Sequence, residues 1–95
     1  MPYIRLSIAR PIKGQESRLQ EIMTKLNDLS KDQPGCRESY VLKPRDDSGE
    51  VARIAIYDSE AEAETAANNS SFMALRSQLH LVSEPGHVER AFFSI

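Results

Sequence analysis

The spacing of apolar residues changes along this chain in an order that leaves few folds open. In "YIRLSIAR", residues 3 to 10, Ile4, Leu6 and Ile8 point one way and Tyr3, Arg5, Ser7 and Ala9 the other, which is the two-residue period of a strand. Pro11 and Gly14 interrupt it. From Gln15 to about Lys31 the apolar positions become Leu19, Ile22, Met23, Leu26 and Leu29, one stripe of a helix. "QPG" at 33 to 35 ends that helix, and "CRESYVLK" at 36 to 43 reads as a second strand. Pro44 and the turn "RDDSGE" lead into "VARIAIY" at 51 to 57, where Val51, Arg53, Ala55 and Tyr57 oppose Ala52, Ile54 and Ile56. Ser59 and Glu62 then stand at capping-box spacing at the head of another helix. "NNSS" at 68 to 71 breaks or bends it, and a second segment carries Phe72, Leu75, Leu79 and Val82 on one face. "EPG" at 84 to 86 stops that segment, and "HVERAFFSI" closes the chain as a last strand.

The order β-α-β-β-α-β predicts an α+β, ferredoxin-like unit over residues 1–95, a single domain. Strands two and three form a hairpin, and the helices cover one face of a four-stranded antiparallel sheet. A chain of 95 residues hides only roughly two thirds of its unfolded surface. Its other sheet face also carries apolar side chains. A second copy packed sheet on sheet would cover them, so a homodimer is expected.

Composition narrows the function classes. Twelve Lys and Arg stand against fourteen Asp and Glu, a net charge of -2, and the few aromatics are not interleaved with basic residues. Neither feature is a nucleic-acid footprint. No apolar run approaches the roughly 20 residues of a membrane span. Met1-Pro2-Tyr3 leads directly into a strand without a charged and apolar leader, so a cytoplasmic protein is expected. Cys36 is the single cysteine, which rules out an internal disulfide and a thiol metal site. His80 and His87 have no His, Asp or Glu at metal-ligand spacing, and no glycine-rich phosphate loop is present, so no metal and no flavin are expected.

The segments "KGQESRLQEIMTKL" (13–26), "QPGCRESYVL" (33–42), "VARIAIYDSEAEAETAA" (51–67), "SSFMALRSQL" and "VERAFFSI" (88–95) cover most of the chain in a familiar order. With them the chain resembles the antibiotic biosynthesis monooxygenase (ABM) domains of the dimeric α+β barrel superfamily. The Pro-Gly-Cys step before strand two is the best single marker. The resemblance implies a homodimer, and a pocket in each subunit between sheet and helices. It also implies cofactor-independent oxidation of a small quinol or a phenolic, polyketide-like substrate. Relatives on the same frame isomerise small hydroxylated metabolites or degrade haem, and a non-catalytic ligand-binding or stress-response dimer is a third outcome. This chain departs from the common pattern. Tyr57 stands where strand three commonly ends in Trp, and Ala66 and Ala67 stand where a helix His often follows. Ser7 or a neighbour stands where the haem-degrading branch has Asn, so haem is not expected.

Individual residues carry the chemistry that remains. Tyr57 can hold a substrate oxygen or relay a proton, or it seals the sheet edge. Arg53, two pleats away on the same strand face, can steady a phenolate or enolate, or it makes a salt bridge. Arg5 and Ser7 invite the same argument from strand one. Tyr40 and Phe72 are expected as pocket walls, Tyr40 on the strand face of Cys36 and Glu38, although core or interface packing suits Tyr40 as well. His80, on the Met73–Arg76 side of the last helix, is the helical base available, with a reference pKa near ~6.5. His87, after Pro85-Gly86, reads as a loop residue. Cys36 has no base beside it and reads as a buried small residue. Glu60, Glu62 and Glu64, spaced by two, do not all share one helix face and read as a solvated first turn. Ala61, Ala63, Ala66 and Ala67 present only methyls, so that helix either approaches the sheet or leaves a cavity.

Overall fold

A computed structural model describes residues 1–95. Its strands are β1 (Tyr3–Ala9), β2 (Cys36–Leu42), β3 (Val51–Tyr57) and β4 (Val88–Phe93), and its helices α1 (Glu16–Lys31), α2 (Glu60–Ala67) and α3 (Ser70–Val82). The strands pair antiparallel in the order β2-β3-β1-β4. This is the ferredoxin-like arrangement expected from the change of period. α1 lies over β2 and β3, α2 over β3, and α3 against α1.

The two faces of the sheet differ in kind. The face under the helices carries Tyr3, Ser7, Ala9, Val51, Arg53, Ala55 and Tyr57, all buried. Ile4, Leu6, Ile8, Ala52, Ile54 and Ile56 point the other way and stay partly exposed. Alternation therefore aims the more polar set of side chains at the helices and leaves the aliphatic set uncovered. Tyr40, Leu42, Val88 and Phe92 extend the bare face, and each is at least 40% exposed.

The α1 stripe behaves as its spacing predicts. Leu19, Ile22, Met23 and Leu26 are fully buried and form one core with Ala9, Val51, Phe72 and Leu79. Each such side chain contributes about 1.5–3 kcal/mol of burial. The stripe turns polar in its last two turns, where Asn27 and Ser30 are also buried. Ser39 of β2 donates a hydrogen bond to the Asn27 side chain.

"NNSS" separates two helices and is not a bend within one. Asn69 caps α3, its Oδ1 accepting from the N–H groups of Ser71 at 2.9 Å and Phe72 at 3.2 Å. Ser59 caps α2 by accepting from Glu62 N–H at 3.3 Å. Glu62 does not return the bond to the backbone as a capping box would; its carboxylate accepts from the Ser59 hydroxyl at 3.1 Å. That carboxylate sits over Gly35, where φ is +82° and a Cβ would collide with it. The Pro-Gly-Cys step thus needs its glycine for the left-handed backbone, and a side chain there would also displace the Glu62 carboxylate.

Candidate functional site

The helices do not fill the space above the sheet evenly. α2 buries only Ala63 and Ala66, which pack on Tyr3, Ala55 and Tyr57. Ala61 faces solvent, so it is not part of the inner face expected for it. Where α2 gives way to α3 a cavity of about 210 Å³ remains, with Ala63 and Ala67 on one side and Phe72 and Arg76 of α3 beside them. Its sheet wall is Tyr3, Arg5 and Ser7 of β1 with Arg53 and Tyr57 of β3. The methyl-lined helix does both things its sequence allowed. Ala66 packs close, and Ala63 and Ala67 leave room.

Arg53 dominates the electrostatics. It stands in the sheet centre, directly opposite Ser7 across the β1–β3 ladder, and is 8% exposed. Its Nη1 donates at 2.8 Å to Ser30 Oγ, and Ser30 in turn donates to the Leu26 carbonyl at 3.0 Å. The guanidinium lies over the Phe72 ring, 5.2 Å from its centroid. Burial, the largest influence, pulls its pKa below the ordinary arginine value, with nearby Arg76 and Arg5 acting the same way and Tyr57 and Glu89 opposing. Arg5 lies over Tyr3 at 5.7 Å. Tyr57 is buried at the end of β3, with its ring against Tyr3, Ala55 and Ala63.

Of the residues singled out in the sequence, Arg53, Tyr57 and Phe72 come together on the cavity wall, and Arg5 and Ser7 join them. Tyr40 does not. A β-bulge between Cys36 and Glu38 shifts the register, so Glu38 and Tyr40 face away from the helices while Cys36 turns toward them. Tyr40 is 50% exposed on the bare sheet face and cannot wall the cavity. Cys36 is half-buried beside Tyr57, and burial pushes its thiol pKa up, the opposite of an activated nucleophile.

His80 also lies outside the cavity wall, exposed on α3. His87 does not line the cavity either, but it stands directly behind the wall residue Ser7. Its Nε2 lies 3.1 Å from Ser7 Oγ, and its side chain is only 9% exposed. The loop before β4 is held by the Pro11–Ser83 bridge and by Glu84 N–H donating to the Arg10 carbonyl at 2.8 Å. Burial lowers the His87 pKa; Glu89 opposes this, while His80 and Arg76 add to it. The imidazole is therefore neutral at neutral pH, as a proton acceptor must be. Glu89 approaches the same Nε2 at 3.5 Å, so Ser7, His87 and Glu89 do not form a nucleophilic triad, in which the acid holds the other ring nitrogen. His87 also borders a surface cleft with His80, Ser83 and Glu84. A chain of exchangeable groups thus runs from the cavity through Ser7 and His87 toward solvent. Nowhere do three or more His, Cys, Asp or Glu side chains converge with metal-ligand geometry.

The sequence profile of the antibiotic biosynthesis monooxygenase family matches residues 4–78, which spans β1 through most of α3. The chain belongs to the antibiotic biosynthesis monooxygenase family. Among curated proteins none matches it. Three solved structures are similar to this family member throughout. Rv0793 from Mycobacterium tuberculosis superposes with a TM-score of 0.91 at 15% identity, over 100% of this chain and 96% of that one. SnoaB from Streptomyces nogalater, described as a cofactor-independent oxygenase, gives 0.84 at 15% over 99% and 93%. PA3566 from Pseudomonas aeruginosa gives 0.86 at 16% over 99% and 94%. At these identities the likeness establishes the fold. No helix of this ABM protein is long and apolar enough to cross a membrane.

Proposed function

We propose that this ABM protein is a cofactor-independent monooxygenase of a small quinol or phenol. The observation that carries the reading is the buried Arg53, braced on Phe72 beside the buried Tyr57, in a cavity of about 210 Å³. For scale, an apolar cavity of about 150 Å³ takes one benzene ring. The ring of the substrate lies against Phe72 and Tyr57. A proton leaves toward Ser7 and His87, which stand 3.1 Å apart. The negative charge that develops on the substrate oxygen is met by the Arg53 guanidinium, fixed in advance and away from bulk water. The electron-rich carbon then reduces O2 and bonds to it. Loss of water from the resulting hydroperoxide leaves a carbonyl, so one oxygen atom enters the product and the other leaves as water. His87 replaces His80 as the base in this scheme: neither lines the cavity, but His87 reaches the wall residue Ser7 at 3.1 Å, so it acts through that hydroxyl.

The same Arg53 and His87–Ser7 pair suits an isomerase, which would move the proton without consuming oxygen. Oxygen uptake against a panel of quinols and phenols tests the difference. Uptake matched by a carbonyl product supports the monooxygenase. Proton exchange without uptake supports the isomerase, and ligand-induced melting shifts without turnover support a binding protein.

The aliphatic sheet face belongs to the same proposal. Ile4, Leu6, Ile8, Ile54 and Ile56, with Val88 and Phe92, form a contiguous apolar surface. Surfaces of that kind mark contact sites. A second copy packed sheet on sheet would bury on the order of 2,000 Å² in total. Sedimentation should find a dimer at micromolar concentration, and a monomer there would refute it.

A further inference from the structure

Three arginines on the helix side of the sheet, Arg5, Arg53 and Arg76, line the cavity against one carboxylate, that of Glu89; Arg90 pairs with Leu6 and lies over Phe92 on the other sheet face. Arg76 takes both oxygens of that carboxylate, at 3.0 and 2.9 Å. Arg5 and Arg53 enter none of the ion pairs of the chain. The Nε atoms of both are buried and have no hydrogen-bond partner. For Arg53 this is a guanidinium 8% exposed, with a neutral hydroxyl as its one hydrogen-bond partner. Buried charges are normally paired, or else they lose their proton. Arginine does not lose its proton in proteins. The chain as a whole carries a net charge of -2, so the positive cavity is a local arrangement and not a consequence of basic composition. Both guanidinium planes are braced on aromatic rings, Arg53 on Phe72 and Arg5 on Tyr3. The two side chains are also diagonal neighbours across the β1–β3 ladder, since Ser7 pairs with Arg53 and Arg5 with Ala55. Forks fixed in this way before a ligand arrives match a planar oxyanion.

We infer that the cavity is an anion site, and that its ligand is an aromatic acid whose ring-borne carboxylate is held by Arg53 and Arg5. The inference rests on the cavity being the substrate site and adds a feature to the substrate: a permanent negative charge beyond the phenol that ionises during reaction. The ring occupies the space left by Ala63 and Ala67 against Phe72 and Tyr57. The carboxylate supplies the partner that the chain itself withholds from Arg53.

Calorimetric titration under argon tests this without turnover. The probes are 2-hydroxybenzoate, its methyl ester and inorganic phosphate, titrated into the full chain, into Arg53→Gln and into the surface control Arg18→Gln. 2-Hydroxybenzoate should bind, and its ester about 10- to 100-fold more weakly, the loss expected for a charge-assisted hydrogen bond. Arg53→Gln should lose the same factor, while Arg18→Gln should lose nothing. If Arg53→Gln does not fold, Arg5→Gln takes its place, with a smaller loss in the same direction. Equal affinity for acid and ester, an unchanged Arg53→Gln, or phosphate binding as tightly as the aromatic acid would each overturn the inference. The oxygen electrode separates this result from the reaction. Acids that bind without any oxygen uptake leave the anion site standing and remove the monooxygenase. Neutral quinols consumed by a protein that binds no acid do the reverse.

Discussion

The two halves of the helix-covered sheet face are built to different ends. Under α1, Leu19, Ile22, Met23 and Leu26 form one buried apolar cluster with Ala9, Val51, Phe72 and Leu79. Under α2 and the start of α3, the buried helix side chains are Ala63, Ala66 and Phe72, and the sheet offers Arg5, Ser7, Arg53 and Tyr57. The first half maximises apolar burial. The second gives up volume and places an unpaired charge where packing would be cheaper. Phe72 belongs to both, since one side joins the core and its ring faces Arg53. The difference teaches that in a chain of 95 residues one helix, α1, can supply half of the main apolar core and leave the other helices free to enclose a polar cavity.

Substitutions on the two sides should separate accordingly. Ile22→Ala removes a fully buried side chain from the packed half and should cost about 2–5 kcal/mol in chemical denaturation. Its kcat, measured below the shifted melting point, should hold. Loss of kcat without loss of stability would break the comparison. His87→Gln in the open half should lower kcat by roughly 10²-fold, the lower end of a general-base effect, with little change in melting. His80→Ala, outside the cavity wall, should leave kcat near that of the parent, and a reversed ranking of the two histidines would move the base back to α3. Tyr57→Phe keeps the ring and loses one hydrogen bond, so KM should rise by about 10-fold with kcat nearly unchanged.

The smallest effect is on stability against pH. Burial lowers the His87 pKa, and Glu89, His80 and Arg76 are the charged or titratable groups around it. As pH falls below about 6.5 the unfolded chain takes up the proton first, so stability falls with pH until the folded imidazole protonates as well. The slope should be shallow and vanish in His87→Gln. A slope of opposite sign would mean that Glu89 governs the imidazole.

Much of the fold was legible because it follows from short-range periodicity. The two-residue alternation of "YIRLSIAR" and "VARIAIY" and the stripe from Leu19 to Leu29 each lie within a single element. The site was legible only in part. Arg53 and Tyr57 share a strand face, and their alternation is visible in the chain. The contact between His87 and Ser7 was not legible, because the two are 80 residues apart and meet only through the β1–β4 ladder. Tyr40 was placed with Cys36 because alternation counts residues, and the bulge at Cys36/Glu38 inserts one that the count cannot register. Asn27 and Ser30 did carry a signal. They continue the inward face of α1 at i+4 from Met23 and Leu26, the spacing at which a polar residue reads as buried. The missing carboxylate partner of Arg53 has no counterpart in sequence at all, since any of fourteen acidic residues could have supplied it.

Oxygen uptake by Arg53→Gln beside the parent protein, at neutral pH with a quinol that the parent oxidises, tests the role of the open half most directly. The parent should consume one O2 per carbonyl formed. Arg53→Gln should retain or gain thermal stability, because a buried unpaired charge is removed, while its uptake falls by about 10²- to 10³-fold, as when an oxyanion donor is lost. Undiminished uptake by Arg53→Gln, or no uptake by the parent with any quinol, would contradict it.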